Sequence, residues 1–359
     1  MFKVLVEHPD LQRLGGIEAY LLKLFPHLNV PYESFSIARR PGETGLLSRM
    51  TRIFRDYRRY WAVLSDRTIK LVHLNPSLER KSFYREAMFL LLARLRGKKT
   101  LVFLHGWNPD FQQRLDRNKG RLFRLLYGRA DAFIVLAASF ADRLRSWGIV
   151  QPIHSEVIVI EDDVIASFDL GAAVDKRLEA ARWRVLFTSR LFRAKGIMTA
   201  IEALGIVQRS HPQFELLVAG DGELVDEARA LVERLQIKNV TFLGVVSGAR
   251  KYAVFRDAHL LCFPTEHGEG FPNVIVEAMA FGLPVITRPV GGIPDFFQNG
   301  VHGYLTESTA PEDFAQLIIR IAEDQERYRL MAHANHQYAR THFLASEAAR
   351  RLERIYASI

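Results

Sequence analysis

Two carboxylates, Glu269 and Glu277, stand with seven residues between them in the run Thr265-Glu266-His267-Gly268-Glu269-Gly270-Phe271-Pro272-Asn273-Val274-Ile275-Val276-Glu277-Ala278-Met279-Ala280. A strand ending near Phe263, a glycine-flanked loop and a helix entered at Pro272 would put Glu269 in the loop and Glu277 about one and a half turns into the helix. Such a pair can accept hydrogen bonds from two sets of hydroxyls on one extended ligand, as sugar and ribose hydroxyls would offer. Taken alone, it equally fits a solvated loop residue and an ordinary helical glutamate. A second constellation, Ser189-Arg190-Leu191-Phe192-Arg193-Ala194-Lys195-Gly196, sets a planar guanidinium and a compact ammonium five residues apart at a helix entrance. That arrangement suits a diphosphate, with a solvated basic loop as the alternative. In Leu14-Gly15-Gly16-Ile17-Glu18 the paired glycines let backbone amides approach an oxyanion, although a turn needing positive φ is the better-supported reading of the pair alone. His105, followed by Gly106, stands at an expected strand end, where it can face a ligand or simply bond to backbone. Cys262, in Leu260-Leu261-Cys262-Phe263, reads as a small buried hydrophobe, and neither it nor His267 has an adequate ligand set for zinc.

The elements that must position these residues alternate strand and helix, the signature of parallel sheets covered by helices. Strands are expected at Phe2–Glu7, Phe35–Ala38, Ile69–Leu74, Thr100–Leu104, Ala132–Leu136 and Glu156–Ile160, with Ser139 as N-cap of a helix running to Trp147. The helix Phe83–Arg96 places Met88, Leu91, Leu92 and Leu95 on one stripe. Periodicity lapses over Glu161–Glu179, which suggests a domain boundary near residues 165 to 180. The alternation restarts with strands at Trp183–Thr188, Phe214–Ala219, Asn239–Leu243, His259–Phe263, Val285–Thr287 and Gly303–Leu305. From Pro311 to Ile359 the chain reads as helical, with at most one break near Phe343 and a last helix able to return to the first half. Ligands of open parallel sheets collect beyond the carboxyl ends of the strands, where all these loops lie.

The chain of 359 residues, 48% hydrophobic and 25% charged, is built for two packed domains and is not disordered or fibrous. A single cysteine excludes an intramolecular disulfide and fits a reducing compartment. No apolar stretch is long enough to cross a bilayer and the start lacks a secretory signal pattern, so a cytosolic protein is expected. The net charge of +9 is uneven: sixteen basic residues face five acidic ones between Arg39 and Lys99. That field attracts phosphates, whether on nucleic acid, anionic lipid or a pyrophosphate-linked substrate.

The Gly268–Val285 stretch resembles the signature of glycosyltransferase family 4, the retaining nucleotide-sugar transferases of GT-B fold. Ser189-Arg190-Leu191 with Lys195-Gly196, Val218-Ala219-Gly220-Asp221-Gly222, Val290-Gly291-Gly292-Ile293-Pro294 and Asn299-Gly300-Val301-His302-Gly303-Tyr304-Leu305 resemble that family too, in its usual order. Gly15-Gly16 and His105-Gly106 extend the likeness into the first half. One departure is Glu161-Asp162-Asp163 where many relatives have Asn-Gly.

The resemblance implies an α/β protein of two Rossmann-like domains facing across a cleft: residues 1–170 with a returning helix at about 343–359 on the acceptor side, and 171–342 on the nucleotide-sugar side. By matching position, Arg190 and Lys195 contact the donor diphosphate, Glu269 the transferred sugar, Glu277 the ribose, and backbone amides in the Gly270-Phe271-Pro272-Asn273 run support sugar and phosphates. Gly15 and Gly16 close over phosphate and acceptor, and His105 lies beside the donor sugar. No Asp-x-Asp occurs, and the resemblance implies no divalent metal and no cofactor, with front-face substitution assisted by a donor phosphate oxygen. UDP is the expected carrier. The expected partners are the nucleotide-sugar, a surface-glycan or lipid-linked saccharide acceptor and an anionic membrane surface met by Phe89-Leu90-Leu91-Leu92 and nearby basic residues, although a buried core helix is the better-supported reading of that stripe. No nucleic acid is expected. An inactive nucleotide-sugar-binding or nucleic-acid-binding module is the alternative from another class.

Overall fold

The computed structural model describes residues 2–11, 15–37, 46–268 and 270–359, with backbone alone over 46–50. The chain divides into two compact units, Met1–Val159 with Ala345–Ile359, and Ile160–Leu344. The first carries, in chain order, β1 (Lys3–His8), α1 (Gly16–Leu24), β2 (Tyr32–Ser36), α2 (Leu46–Val63), β3 (Ile69–Leu74), β4 (Ser77–Leu78), α3 (Arg80–Leu95), β5 (Lys99–Leu104), β6 (Gly106–Trp107), α4 (Pro109–Arg117), α5 (Arg121–Tyr127), β7 (Ala132–Val135), α6 (Ala138–Ser146) and β8 (Ile153–Ser155). Its main sheet is parallel in the order β2-β1-β3-β5-β7-β8. Strands buried on both faces must be apolar nearly throughout, which is why Val4-Leu5-Val6 and Leu101-Val102-Phe103-Leu104 read as continuous hydrophobic runs.

The second unit carries α7 (Asp162–Ala166), α8 (Leu170–Leu178), β9 (Trp183–Thr188), α9 (Ile197–Val207), β10 (Phe214–Ala219), α10 (Val225–Arg234), β11 (Val240–Gly244), α11 (Gly248–Asp257), β12 (Leu260–Phe263), α12 (Asn273–Ala280), β13 (Val285–Thr287), β14 (Gly303–Leu305), α13 (Pro311–Glu323) and α14 (Gln325–His342). Its parallel sheet runs β11-β10-β9-β12-β13-β14. Numbered within the unit this is 3-2-1-4-5-6, the dinucleotide-fold order, whose ligands sit where the order reverses. That point lies between β9 and β12.

The last helix, α15 (Ala345–Ser358), belongs to the first unit. Arg351 donates to both carboxylate oxygens of Glu156 at 2.9 to 3.2 Å, and the Tyr356 hydroxyl lies 2.7 Å from His73 Nδ1. Glu156 is nearly inaccessible, so removing Arg351 would strand a desolvated carboxylate at a cost of about 3 to 5 kcal/mol.

Several local expectations shift. The edge strand β8 of the first unit's main sheet is Ile153–Ser155, not Glu156–Ile160, and the Glu156 carboxylate that follows it is held by Arg351. Ile160 makes only an isolated bridge to Leu344. The units part at Val159/Ile160, earlier than residue 170, since Phe168 and Leu170 pack on Phe281 and Gly282 of the second unit. Ala137, not Ser139, is the N-cap of α6. The helical tail breaks at Asp324, which caps α14 through its carboxylate, as well as near Phe343. The Phe89–Leu92 stripe does not face one way: Phe89 and Leu90 are core, whereas Leu91 is exposed with Met88 and Leu95.

Candidate active site

In the second unit the chain leaves β9 through Ser189 and Arg190, tightens into a single 3₁₀ turn at Arg193–Lys195 and enters α9 through Gly196. Arg190 is exposed, while the Lys195 side chain is buried, with its Nζ 5.4 Å from the Phe192 ring centre and 5.7 Å from that of Phe263. Aromatic faces attract an ammonium. The Gly220 segment fixes this loop from below. Ser189 N donates to Ala219 O, Leu191 N to Asp221 O and Leu224 N to Leu191 O at 2.9 to 3.1 Å. At φ +139° a Cβ on Gly220 would strike the Ser189 carbonyl, so the Val218–Gly222 motif works as a seat for the Arg190 loop.

The loop after β12, the strand next to β9, is stitched to the same turn. The Ala194 carbonyl accepts from Glu266 N at 2.8 Å, His267 N at 3.1 Å and Thr265 Oγ1 at 3.3 Å. Gly196 sits at φ +82° against Pro264, where a side chain would meet the Pro264 carbonyl. Glu269 lies outside the described residues. Gly270 follows, Phe271 stacks on Phe296 at 4.3 Å, and Pro272 is the N-cap of α12, not its first turn, with Asn273 exposed at the first helical position. Pro272 offers α12 no side-chain cap. The start of a helix carries the partial positive charge that attracts an anion.

Glu277, the fifth residue of α12, is 6% exposed. Its Oε1 accepts from Lys251 Nζ of α11 at 2.5 Å. Beside them the Tyr252 hydroxyl donates to Glu161 Oε2 at 3.1 Å. Burial, then the Glu161 and Glu277 charges, push the Tyr252 phenol well above its usual value, so it remains a donor. Arg177 fixes the pair of helices: it reaches the carbonyls of Phe255 and Arg256 at the end of α11 and of Phe281 at the end of α12 at 3.0 to 3.4 Å. Lys251, Tyr252 and Arg177 carry no motif that would mark them in sequence; only Glu161 stood out there, as a departure.

In the first unit Gly15 is the N-cap and Gly16 the first residue of α1. A Cβ on Gly15 would overlap the Glu18 carboxylate, which folds back over this helix end, whereas Gly16 has open space around it. His105 follows β5, stacks on Phe103 at 3.7 Å and places Nε2 2.8 Å from Asn75 Oδ1. The Asn75 amide nitrogen donates to the Glu7 carbonyl at 2.7 Å, so its oxygen is the acceptor and His105 carries its proton on Nε2. Burial, with a smaller contribution from His73, holds the ring well below the usual imidazole pKa. Neutral His105 therefore offers Nδ1 as a hydrogen-bond acceptor. Near the carboxyl ends of β1 and β2 lies a cavity of about 390 Å³ whose lining includes Asp10, Glu18, Arg52, Lys81 and Arg85. Cys262 is buried, with its thiol pushed up to about 12 by desolvation.

The structure thus brings Arg190, Lys195, Phe271, Asn273 and Glu277 to loops and a helix at the switch point of one sheet, and Gly15, Gly16 and His105 to strand ends of the other. Residues 174–338 match the family described as "Glycosyl transferases group 1", and residues 15–159 that described as "Glycosyl transferase 4-like domain". The D-inositol 3-phosphate glycosyltransferase of Segniliparus rotundus is 33% identical over 174 residues, covering 47% of this chain and 38% of that protein. The phosphatidyl-myo-inositol mannosyltransferase of Mycobacterium tuberculosis is 29% identical over 233 residues, covering 63% of this chain and 60% of that one. The chain therefore matches less than two thirds of the length of these relatives. Among solved structures, Anabaena HepE in complex with UDP and glucose superposes with a TM-score of 0.73 at 20% identity, covering 100% of both chains. The sucrose-phosphate synthase of Thermosynechococcus elongatus gives 0.74 at 19% identity, covering 100% of this chain and 99% of that one. At such identities the likeness speaks for the fold, two Rossmann-like halves of GT-B type.

Proposed function

Because the chain belongs to the group 1 glycosyltransferases of GT-B fold, we propose that it moves a sugar from a nucleotide diphosphate-sugar, UDP by preference, to a surface-glycan or lipid-linked saccharide acceptor. The observation that carries this reading is the Ala194 carbonyl, which binds the Lys195 turn and the loop leading to α12 into one unit. That joint holds the loop carrying Arg190 and Lys195 beside the loop that leads to α12 and Glu277, next to the reversal point of the sheet, which supports a nucleotide site there. HepE, a relative in fold alone, is recorded with UDP and glucose, which favours UDP as the first carrier to try.

In this reading Arg190 and Lys195 grip the diphosphate and stabilise the charge that grows on it as the sugar C1–O bond breaks. They do the work a divalent metal does elsewhere, so no metal is required. Glu277 accepts the ribose hydroxyls, Glu269 the hydroxyls of the transferred sugar, and the amides from Gly270 to Asn273 support both. Gly15 and Gly16 bring backbone close to phosphate and acceptor. His105 Nδ1 accepts from a sugar hydroxyl and steadies positive charge developing at C1. The acceptor hydroxyl attacks the face the phosphate leaves and gives its proton to a phosphate oxygen, which retains configuration at C1. No described helix is long and apolar enough to cross a membrane, and a cytoplasmic enzyme working peripherally at the membrane face is the location this reading carries.

The test is turnover of UDP- and GDP-sugars with saccharide and lipid-linked acceptors, with and without EDTA, the product anomer being read by NMR. Chelator-resistant release of nucleoside diphosphate with a retained anomer is expected. Lys195→Ala is expected to slow transfer while leaving donor affinity within a few-fold of wild type. Failure of every sugar nucleotide, an inverted product, or wild-type rates in Lys195→Ala would overturn the corresponding part.

A further inference from the structure

The outer face of α3 in the first unit is apolar where a soluble helix should be polar. Tyr84, Met88, Leu91 and Leu95 recur at helical spacing and are all exposed, Leu95 by 65%, while Phe83, Phe89 and Leu90 on the opposite side fill the core. The stripe runs for about 16 Å along the helix. Leu125 of α5, 76% exposed, stands beside it, and the two helices enclose an open groove of about 1090 Å³. Among the described residues, Arg94, Arg124 and Arg129 line the groove and no acidic residue does. Arg94 is partly offset by Asp131 at 2.7 Å.

We propose that this α3–α5 face is the surface by which the protein docks on an anionic lipid bilayer, the aliphatic stripe entering the headgroup–acyl boundary and the arginines meeting lipid phosphates. Charge selects the occupant. A second copy seated symmetrically on the same face would set these arginines against one another, and a nucleic acid gains nothing from four exposed aliphatic side chains. An acidic bilayer satisfies both the apolar stripe and its basic rim. The inference deepens the peripheral-membrane part of the proposed function and does not depend on sugar transfer.

The test is co-sedimentation of the full chain with vesicles of phosphatidylcholine alone and with about 30% phosphatidylglycerol, without donor, over a range of salt. Wild type should bind the anionic vesicles preferentially. Arg124→Gln/Arg129→Gln and Leu95→Ser/Leu125→Ser should each lower partitioning about tenfold or more. The control Arg229→Gln/Arg234→Gln removes the same charge from the second unit and should change it little. These side chains are exposed, and unchanged melting of the variants confirms folding. Absence of wild-type binding would overturn membrane docking. Binding lost equally in the control, or kept in the leucine pair, would overturn this face while leaving peripheral association intact. A dimer in sedimentation velocity that Leu95→Ser/Leu125→Ser converts to monomer would also overturn it, in favour of a second copy.

Discussion

Lys251 and Asn75 show how much of the candidate site depends on side chains no motif announces. Lys251 donates to Glu277 at 2.5 Å from a neighbouring helix, so it orients the carboxylate assigned to ribose. Lys251→Met should weaken UDP binding about tenfold but 2′-deoxy-UDP much less, because the contact acts through a ribose hydroxyl. Equal losses for the two ligands by calorimetry would contradict that role. Asn75 does for His105 what Lys251 does for Glu277. Asn75→Asp would set a carboxylate beside Nε2 at about the present 2.8 Å and raise the imidazole pKa toward neutrality. An NMR titration should then show the ring protonating at higher pH, with activity falling at the acid end where wild type holds steady, whereas an unmoved titration would contradict the assignment. Arg190, Lys195, Glu277 and His105 were legible in the sequence because they sit in motifs bounded by glycine and strand ends. Lys251 and Asn75 were not, because an ordinary polar residue gains its role only from the tertiary neighbour it meets.

At the scale of elements, strands such as Trp183–Thr188 and Ile69–Leu74 were readable to the residue, since a buried parallel strand must be apolar on both faces. The α3 stripe was harder. With apolar side chains on both its buried and its exposed sides, periodicity alone could not tell core from surface. The joints between elements were visible only as glycines whose purpose was open. Gly196→Ala would force a Cβ against Pro264 at φ +82°, costing more than about 1 kcal/mol and prying the Lys195 turn from the loop before α12. A lowered unfolding midpoint with weaker nucleotide binding is expected, and an unchanged midpoint with unchanged binding would contradict the stitched-loop description. Arg177→Met removes the clamp on the ends of α11 and α12, each charged hydrogen bond contributing about 1.5 to 3 kcal/mol. It should destabilise the second unit and misalign Lys251 with Glu277, read as a lower unfolding midpoint and a raised Kd for UDP.

For the whole molecule, two α/β units and a returning last helix followed from the alternation of patterns, whereas the two strand orders, 2-1-3-4-5-6 and 3-2-1-4-5-6, did not, because periodicity says nothing about which strand lies beside which. Both units bury histidines in neutral form: desolvation pushes His73 down to about 3, and His259 and His302 to about 4. The unfolded chain, with imidazoles near 6.5, therefore binds more protons than the native one below that pH. Their stabilisation is complete above about pH 6.5 and is lost as pH falls toward 4, on the order of 3 kcal/mol for His259 alone. Glu7, whose carboxyl is pushed well up by burial and Glu86, opposes this as one group against several. Urea midpoints should fall from pH 7.5 to pH 5, and constant or rising midpoints would contradict the neutral-histidine core.

Sugar transfer by the proposed route requires a donor site built around Lys195 and Glu277. Calorimetric titration of UDP, GDP, ADP and NAD in excess EDTA, into wild type and Glu277→Ala, tests it directly. One nucleoside diphosphate should bind wild type and lose at least about tenfold in the variant. Binding of none, binding of NAD alone, or equal affinity in the two proteins would contradict it.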